Sequence, residues 1–210
     1  MALPDLPIRT ERLALRAFEA EDHAALLALH EREDVTRYLP FGARDAEAVL
    51  EVLARKMAAT GLDQEGGALE LAAILSEDGR LVGDVSLFHR STTHRAAEVG
   101  YVFDPTFHGR GLATEATAAL LEIAFDHVGY HRVYGRLDAR NTASARVLEK
   151  VGMRREAHLV ENEWLKGEWT DEVIYAVLDR EWAAQRLAHT GARIASSRAR
   201  TSGTWRVKRP

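Results

Sequence analysis

Residues 98 to 115 read EVGYVFDPTFHGRGLATE. A β-type run from Glu98 to Phe103 meets Asp104-Pro105, a turn carrying Gly109 and Gly111 follows, and an amphipathic helix opens at Leu112. A glycine-bearing turn between strand and helix aims free backbone N–H groups, and the positive end of the helix dipole, at one point. A phosphate or pyrophosphate suits that point. Alone, the segment reads equally well as a tight strand-to-helix connection. Thr114 stands where a dinucleotide-binding turn needs its third small residue, which argues against a nicotinamide dehydrogenase, and no Gly-Lys-Ser/Thr of a P-loop occurs.

Working outward, Ile8 to Phe18 alternates around Leu13 and Leu15 as a first strand. Glu21 to Glu31 reads as a helix with Leu26, Leu27 and His30 on one face, and Asp45 to Thr60 as a second with Val49, Val52 and Leu53 along its stripe. Strands are expected at Ala68–Ser76 and Leu81–Phe88, joined by the Asp78-Gly79 hairpin turn. Downstream, the helix from Leu112 should bury Ala116, Leu120, Ile123 and Ala124 and stop at Gly129. Arg132–Leu137 is a short strand, Asn141 or Thr142 caps a helix closed by Gly152, strands at 154–163 and 170–178 flank Lys166-Gly167, and Asp179–Leu187 is helical. No internal repeat is present, so the pattern is one α/β domain with mixed strand directions.

The 210 residues suffice for one real core plus a tail. No window approaches the roughly 18 unbroken apolar residues of a membrane span, and the N-terminus lacks a basic-then-apolar leader. With no cysteine in the chain, disulfides, thiolate metal sites and a cysteine nucleophile are excluded, which fits a cytoplasmic enzyme. The net charge is −4, yet Ala183 to Pro210 carries seven Arg or Lys and no acid; subtracting +7 from −4 leaves −11 on residues 1–182. An acidic body attracts cationic partners such as amines or basic peptides. The basic tail, with Trp205 among its cations, raises a weak RNA or ribosome contact and otherwise reads as poorly ordered.

A second segment, Asp138 to Met153 (DARNTASARVLEKVGM), places an Asn at a strand end, a Ser three residues on, and a short helix closing in Lys-x-Gly-Met. Together with His108-Gly109-Arg110-Gly111-Leu112-Ala113, it resembles the acyl-CoA-binding motifs of the GNAT N-acyltransferases. The opening Thr10 to Arg16 (TERLALR) and Ala113-Thr114-Glu115-Ala116 are similar to the RimJ/RimL-like branch. The resemblance spans about residues 7–180, so residues 1–182 are expected as the acyltransferase domain and 183–210 as a helix end and tail. It implies a mixed α/β fold: about seven mostly antiparallel strands, splayed at a central V-shaped cleft and flanked by helices.

The resemblance also implies how a donor, acetyl-CoA, sits. The backbones of Tyr101, Val102 and Phe103 would bond the pantetheine arm, the N–H groups from His108 through Gly109, Arg110, Gly111, Leu112 and Ala113 to Thr114 would hold the pyrophosphate, and Asn141 would reach the arm from the other side. His108 departs from the usual Gln or Arg. Glu163, and on the splayed strand Glu98, match positions proposed as general bases, Glu163 being favoured; Ser144 matches a proposed acid for the leaving thiolate. Tyr130, Tyr134 and Tyr175 compete as acids, and an N–H near Val102 would stabilise the oxyanion. No metal is expected.

Without cysteine, direct attack in a ternary complex is the simple mechanism. The expected acceptor is the α-amine of a protein or peptide N-terminus, because an α-amine with a pKa of about 8 is far more often neutral at pH 7 than a lysine at about 10.4. Alternatives are a small-molecule amine, another acyl group such as succinyl, or a CoA-binding module without turnover. The protein is expected as monomer or homodimer.

Overall fold

The computed structural model describes residues 3–188. In chain order its strands are β1 (Ile8–Arg9), β2 (Leu13–Arg16), β3 (Thr60–Gly61), β4 (Ala68–Leu75), β5 (Leu81–Ser91), β6 (Ala96–Phe103), β7 (Arg132–Asp138), β8 (Arg154–Leu165) and β9 (Glu168–Leu178). The helices are α1 (His23–His30), α2 (Glu33–Thr36), α3 (Ala46–Ala58), α4 (Leu112–Glu122), α5 (Thr142–Lys150) and α6 (179–188). The strands form one sheet in the order β1-β2-β4-β5-β6-β7-β9-β8, with β3 on β4. Two strands beyond the expected seven are the two-residue pieces β1 and β3.

Every pairing is antiparallel except β6 with β7. That parallel pairing covers only Ala96↔Arg132, Ala97↔Val133 and Glu98↔Tyr134. Beyond Glu98, β6 stays zipped to β5 as far as Phe103, while β7 stays zipped to β9 as far as Asp138. The sheet therefore parts along Val99–Phe103, and the V-shaped cleft expected from the resemblance is present.

Alternation along β4 and β5 sorts the two faces. Leu69, Leu71, Leu75, Val85 and Leu87 join a core with Leu112, Ala116, Leu120, Ile123 and Ala124 of the helix after the glycine turn, all nearly or fully buried. Each such leucine or isoleucine contributes about 1.5–3 kcal/mol relative to exposure. On the opposite face Phe18, Leu26, Val49, Leu53 and Ala72 form a smaller core under α1 and α3. Leu27, expected on the buried stripe of α1, is only packed against that core; Leu29 takes the buried place beside Leu26 and His30.

The helix expected to run from Leu112 to His127 changes character. It is α-helical to Glu122 and continues as a π-helical stretch, Ile123–Val128, before Gly129 ends it at φ 79°. The predicted stretch at 21–31 likewise opens with a 3-10 turn at Ala20–Asp22, where the Asp22 carboxylate accepts from the Glu19 N–H and pairs with Arg16 at 2.7 Å. Of the basic segment expected over 183–210, the part beyond residue 188, and with it any RNA contact there, lies outside the described residues.

Candidate active site

Gly109 and Gly111 both hold positive φ, 76° and 79°, and a Cβ on Gly109 would meet nothing within 4 Å. The glycines thus serve backbone conformation and leave the loop surface open. His108 N–H is already bonded to Pro105 C=O at 3.0 Å, which removes it from the predicted phosphate-binding set. The first helical bond of α4 is Glu115 N–H to Gly111 C=O, so the N–H groups of Leu112, Ala113 and Thr114 lack helical partners.

The opening motif of the chain holds this loop. Thr10 Oγ1 donates to Glu115 Oε1 at 2.6 Å, Arg12 N–H donates to the same oxygen at 2.7 Å, and Arg12 Nε donates to Glu115 Oε2 at 2.7 Å. Arg12 Nη1 also donates to the Arg110 carbonyl at 2.7 Å, turning that carbonyl away from the N–H cradle. Burial pulls the Glu115 carboxyl upward, but these donors outweigh it and its pKa sits below 4.5.

A cavity of about 380 Å³ lies beside the loop. Tyr101, Val102, Phe103, His108, Gly109, Gly111, Leu112, Ala113, Thr114, Asn141 and Ser144 line it, together with the cations Arg146 and Lys150. Arg110, expected with them, is not on its wall; its guanidinium stacks over Phe107 and faces Glu77 at 3.9 Å. A cavity beside parted strands, lined by open N–H groups and by two cations with no ion-pair partner among the described residues, suits the pantetheine and diphosphate of an acyl-CoA.

Hydrogen-bond alternation refines which backbone groups face that cavity. Asp104 N–H bonds Val82 C=O, so Val102, paired with Asp84, directs its own N–H and C=O at β5. Val99, Tyr101 and Phe103 direct theirs into the gap. Val102, expected to bond the arm, is thus turned to β5, while Tyr101 carries the N–H near Val102 that faces the gap. The Phe103 carbonyl already faces His108 Nε2 at 3.2 Å, so the side chain at this departure from the family pattern ties the loop to the strand.

A second cavity, of about 360 Å³, opens on the α1–α3 face and shares Tyr38, Leu39, Tyr101, Val102, Asn141 and Ser144 with the first. Glu98 and Glu163 both line it. Glu163 is 36% exposed and pairs with Arg136 Nη2 at 2.7 Å; Arg136 also binds Glu172. Glu98 is 16% exposed and pairs with Arg90 at 2.9 Å. At the junction Ser144 Oγ donates to the Tyr101 hydroxyl at 2.9 Å, which donates to the Ser144 carbonyl at 2.9 Å. Burial holds the Tyr101 phenol well above its ordinary value, with the Ser144 hydrogen bond a smaller opposing influence.

Asn141 Oδ1 accepts from Ser144 N–H at 3.0 Å as the cap of α5, leaving its amide donors for a ligand. None of Tyr130, Tyr134 and Tyr175 lines either cavity. Tyr130 is buried, Tyr134 leans toward Glu98, and Tyr175 donates to Glu149 at 3.1 Å. The tyrosine at the junction is Tyr101, which the sequence offered for its backbone alone.

Sequence reasoning also missed the floor of the second cavity. Lys56 Nζ donates to Glu70 Oε2 at 2.8 Å and to Asp84 Oδ1 at 2.9 Å, and Arg55 caps Glu70. Burial lowers the Lys56 pKa, but the two carboxylates outweigh it and the net shift is upward. The signal was one acid inside each of two apolar strands, ALELAAIL and LVGDVSLF, whose register sets Glu70 opposite Ser86 and Asp84 opposite Ala72. Among the described residues no group of three or more His, Asp or Glu side chains is arranged to hold a metal ion, and no helix is long and apolar enough to cross a membrane.

A parted sheet with open N–H groups at a glycine turn and two adjoining cavities is the frame that an acyl-CoA-dependent acyltransferase needs. The family model described as an acetyltransferase (GNAT) domain matches residues 12–154, and the chain belongs to that family. The N-acetyltransferase YnaD of Bacillus subtilis (strain 168) is 32% identical over 178 residues, 83% of this chain and 98% of that protein. A GNAT-family acetyltransferase from Bacillus anthracis superposes with a TM-score of 0.74 at 32% identity, covering 82% of this chain and 98% of that one. The fold is also similar to spermidine N-acetyltransferase from Vibrio cholerae, solved with CoA and spermine, at TM-score 0.70 and 22% identity over 83% of this chain and 99% of that one. Acetyl-CoA is the acyl donor of this acetyltransferase.

Proposed function

We propose that the acceptor is the primary amine of a small molecule. The observation that carries this is the acceptor-side cavity of about 360 Å³, bounded by the Tyr38–Phe41 segment and the β8–β9 hairpin. That volume lies at the small-ligand end of binding sites. The names of relatives point the same way, spermidine being the substrate named for the Escherichia coli (strain K12) protein that is 25% identical over 108 residues. The protein N-terminus expected from the pKa argument has less behind it. Early neutrality of an α-amine favours any weakly basic amine equally.

In this reading Glu163 takes the proton from the attacking amine, with Glu98 as the alternative base. The Tyr101 N–H faces the carbonyl oxygen on which charge develops. The new N–C bond forms as the C–S bond breaks, and the thiolate is protonated from the Ser144–Tyr101 pair, either hydroxyl lying at the junction of the two cavities. Membership of the RimJ/RimL-like branch is supported by the Thr10–Arg12–Glu115 clasp, which joins its two quoted motifs. A cytoplasmic location is supported by the cysteine-free composition and the use of acetyl-CoA.

The test is thiol release from acetyl-CoA against small amines and N-terminal peptides, with mass spectrometry of the products. Small amines should drive turnover; peptide-only turnover overturns the reading. Glu163→Gln is expected to lower kcat by about 10²–10⁴-fold, the usual yield of general-base catalysis, with acetyl-CoA affinity retained. If Glu163→Gln, Glu98→Gln and the double variant all keep the wild-type rate, neither glutamate is the base.

A further inference from the structure

Six carboxylates and four cations line the acceptor-side cavity, and two cations from outside its lining, Arg90 and Arg140, bring the charges to balance. Glu70, Asp84, Glu98, Asp138, Glu163 and Glu172 line it, and each has a cationic partner: Lys56 with Arg55, Lys56, Arg90, Arg140, Arg136 and Arg136 respectively. Two of these carboxylates, Glu163 and Glu172, share the single guanidinium of Arg136. At the β8–β9 side, then, the cavity has one positive charge fewer than it has negative ones.

The complementary excess is Arg44, which also lines the cavity and has no carboxylate partner among the described residues. Its place is fixed without one. Its N–H bonds the His30 carbonyl at 3.0 Å, its Nη1 meets His30 Nδ1 at 3.0 Å, and its guanidinium lies 3.5 Å above the centre of the Phe41 ring. Because a guanidinium only donates, His30 Nδ1 is the acceptor in that contact. The Nε–Nη2 edge of Arg44 keeps its donors, in the fork spacing that matches a carboxylate. Burial first, and then the neighbouring charge of Arg55, hold the Arg44 pKa below its ordinary value, with Asp84 opposing them.

We propose that the amine acceptor also carries a carboxylate, held by the Nε–Nη2 edge of Arg44 while the amine is presented to Glu163. This rests on the small-molecule reading above and narrows it to amino acids and related zwitterions. A polyamine would place a second ammonium against Arg44, with every lining carboxylate already paired. The buried atoms there that lack partners, Asp84 Oδ2 and His30 Nε2, have no accessible surface and give a second ammonium no purchase.

The experiment compares ω-amino acids, diamines and alkylamines of matched chain length, with acetyl-CoA saturating, over a series of chain lengths. At the best length the carboxylate-bearing amine should exceed the alkylamine in kcat/KM by about 10- to 100-fold, the range a charge-assisted hydrogen bond supplies, and the diamine should fall below both. Arg44→Ala should bring the ratio of carboxylate to alkyl acceptor close to one, Arg44→Lys should keep part of it, and Arg44→Glu should invert it in favour of the diamine. Calorimetry of the CoA-loaded protein with the same three series reads the preference without turnover. A diamine preference in the wild type, or a selectivity ratio that survives Arg44→Ala, overturns the proposal while leaving small-amine acetylation standing. Failure of every small amine to be acetylated, with peptides accepted, overturns the small-molecule reading instead.

Discussion

At the scale of single residues, His30 shows how a site can be built from a group that would ordinarily titrate. Only 2% of it is exposed. Burial, opposed by Asp84 and assisted by Arg44, Lys56 and Arg55, lowers its pKa from 6.5 to about 4. Unfolded, the imidazole takes up a proton as pH falls through 6.5; folded, it does so only near 4. The folded state is therefore penalised progressively between those values, by on the order of 3 kcal/mol at the lower end. Unfolding free energy measured from pH 7 to pH 4 should decline in the native protein, and His30→Gln should flatten that decline. An unchanged slope in the variant would assign the acid sensitivity elsewhere. His30 was legible from the sequence as one residue on a helix face. Its contact with Arg44 was not, because that contact depends on where the chain returns after α2.

At the scale of elements, the strand–turn–helix at 98–115 was legible almost whole. Its glycines and the inward face of α4 follow from local chemistry. What local chemistry could not supply is which backbone groups remain open, since that depends on pairing: β5 takes Val102, and Pro105 takes His108 N–H. Nor could it show that Thr10 and Arg12, about a hundred residues earlier, clasp Glu115. That clasp is a partly buried set of charge-assisted bonds, each worth about 1.5–3 kcal/mol. Glu115→Gln should lower Tm and raise the KM for acetyl-CoA, because the Arg110 carbonyl loses the arginine that holds it. With its carboxyl depressed below 4.5, Glu115 contributes its stabilisation above that pH and loses it as pH falls through the folded value; the variant should lack this acid loss. A variant with normal acetyl-CoA KM would show that the loop stands without the clasp.

At the scale of the whole molecule, the two cavities share a wall that neither the sheet nor the glycine loop supplies. The segment from Asp34 to Phe41 lines the donor side through Asp34, Val35, Tyr38 and Leu39, and the acceptor side through Tyr38, Leu39, Pro40 and Phe41. It follows α1 and is met by the β8–β9 turn. Lys166, at φ 51° in the β8–β9 turn, donates to the carbonyls of Thr36 and Arg37, the latter at 3.2 Å. An ammonium on the last carbonyls of a helix is favourably placed toward its dipole. The contact joins residues about 130 positions apart across the mouth of the acceptor cavity, and no local pattern in the sequence announces it. Because one segment walls both sites, Lys166→Met should raise the KM of acetyl-CoA and of the amine together, each by about 5-fold for the loss of roughly 1 kcal/mol. The effect on kcat should be smaller, since Lys166 lines neither cavity. Initial rates over a two-substrate grid separate this from Glu115→Gln, which acts on the donor side. If only one KM moves in Lys166→Met, the segment does not serve as a common wall and the two sites are held independently.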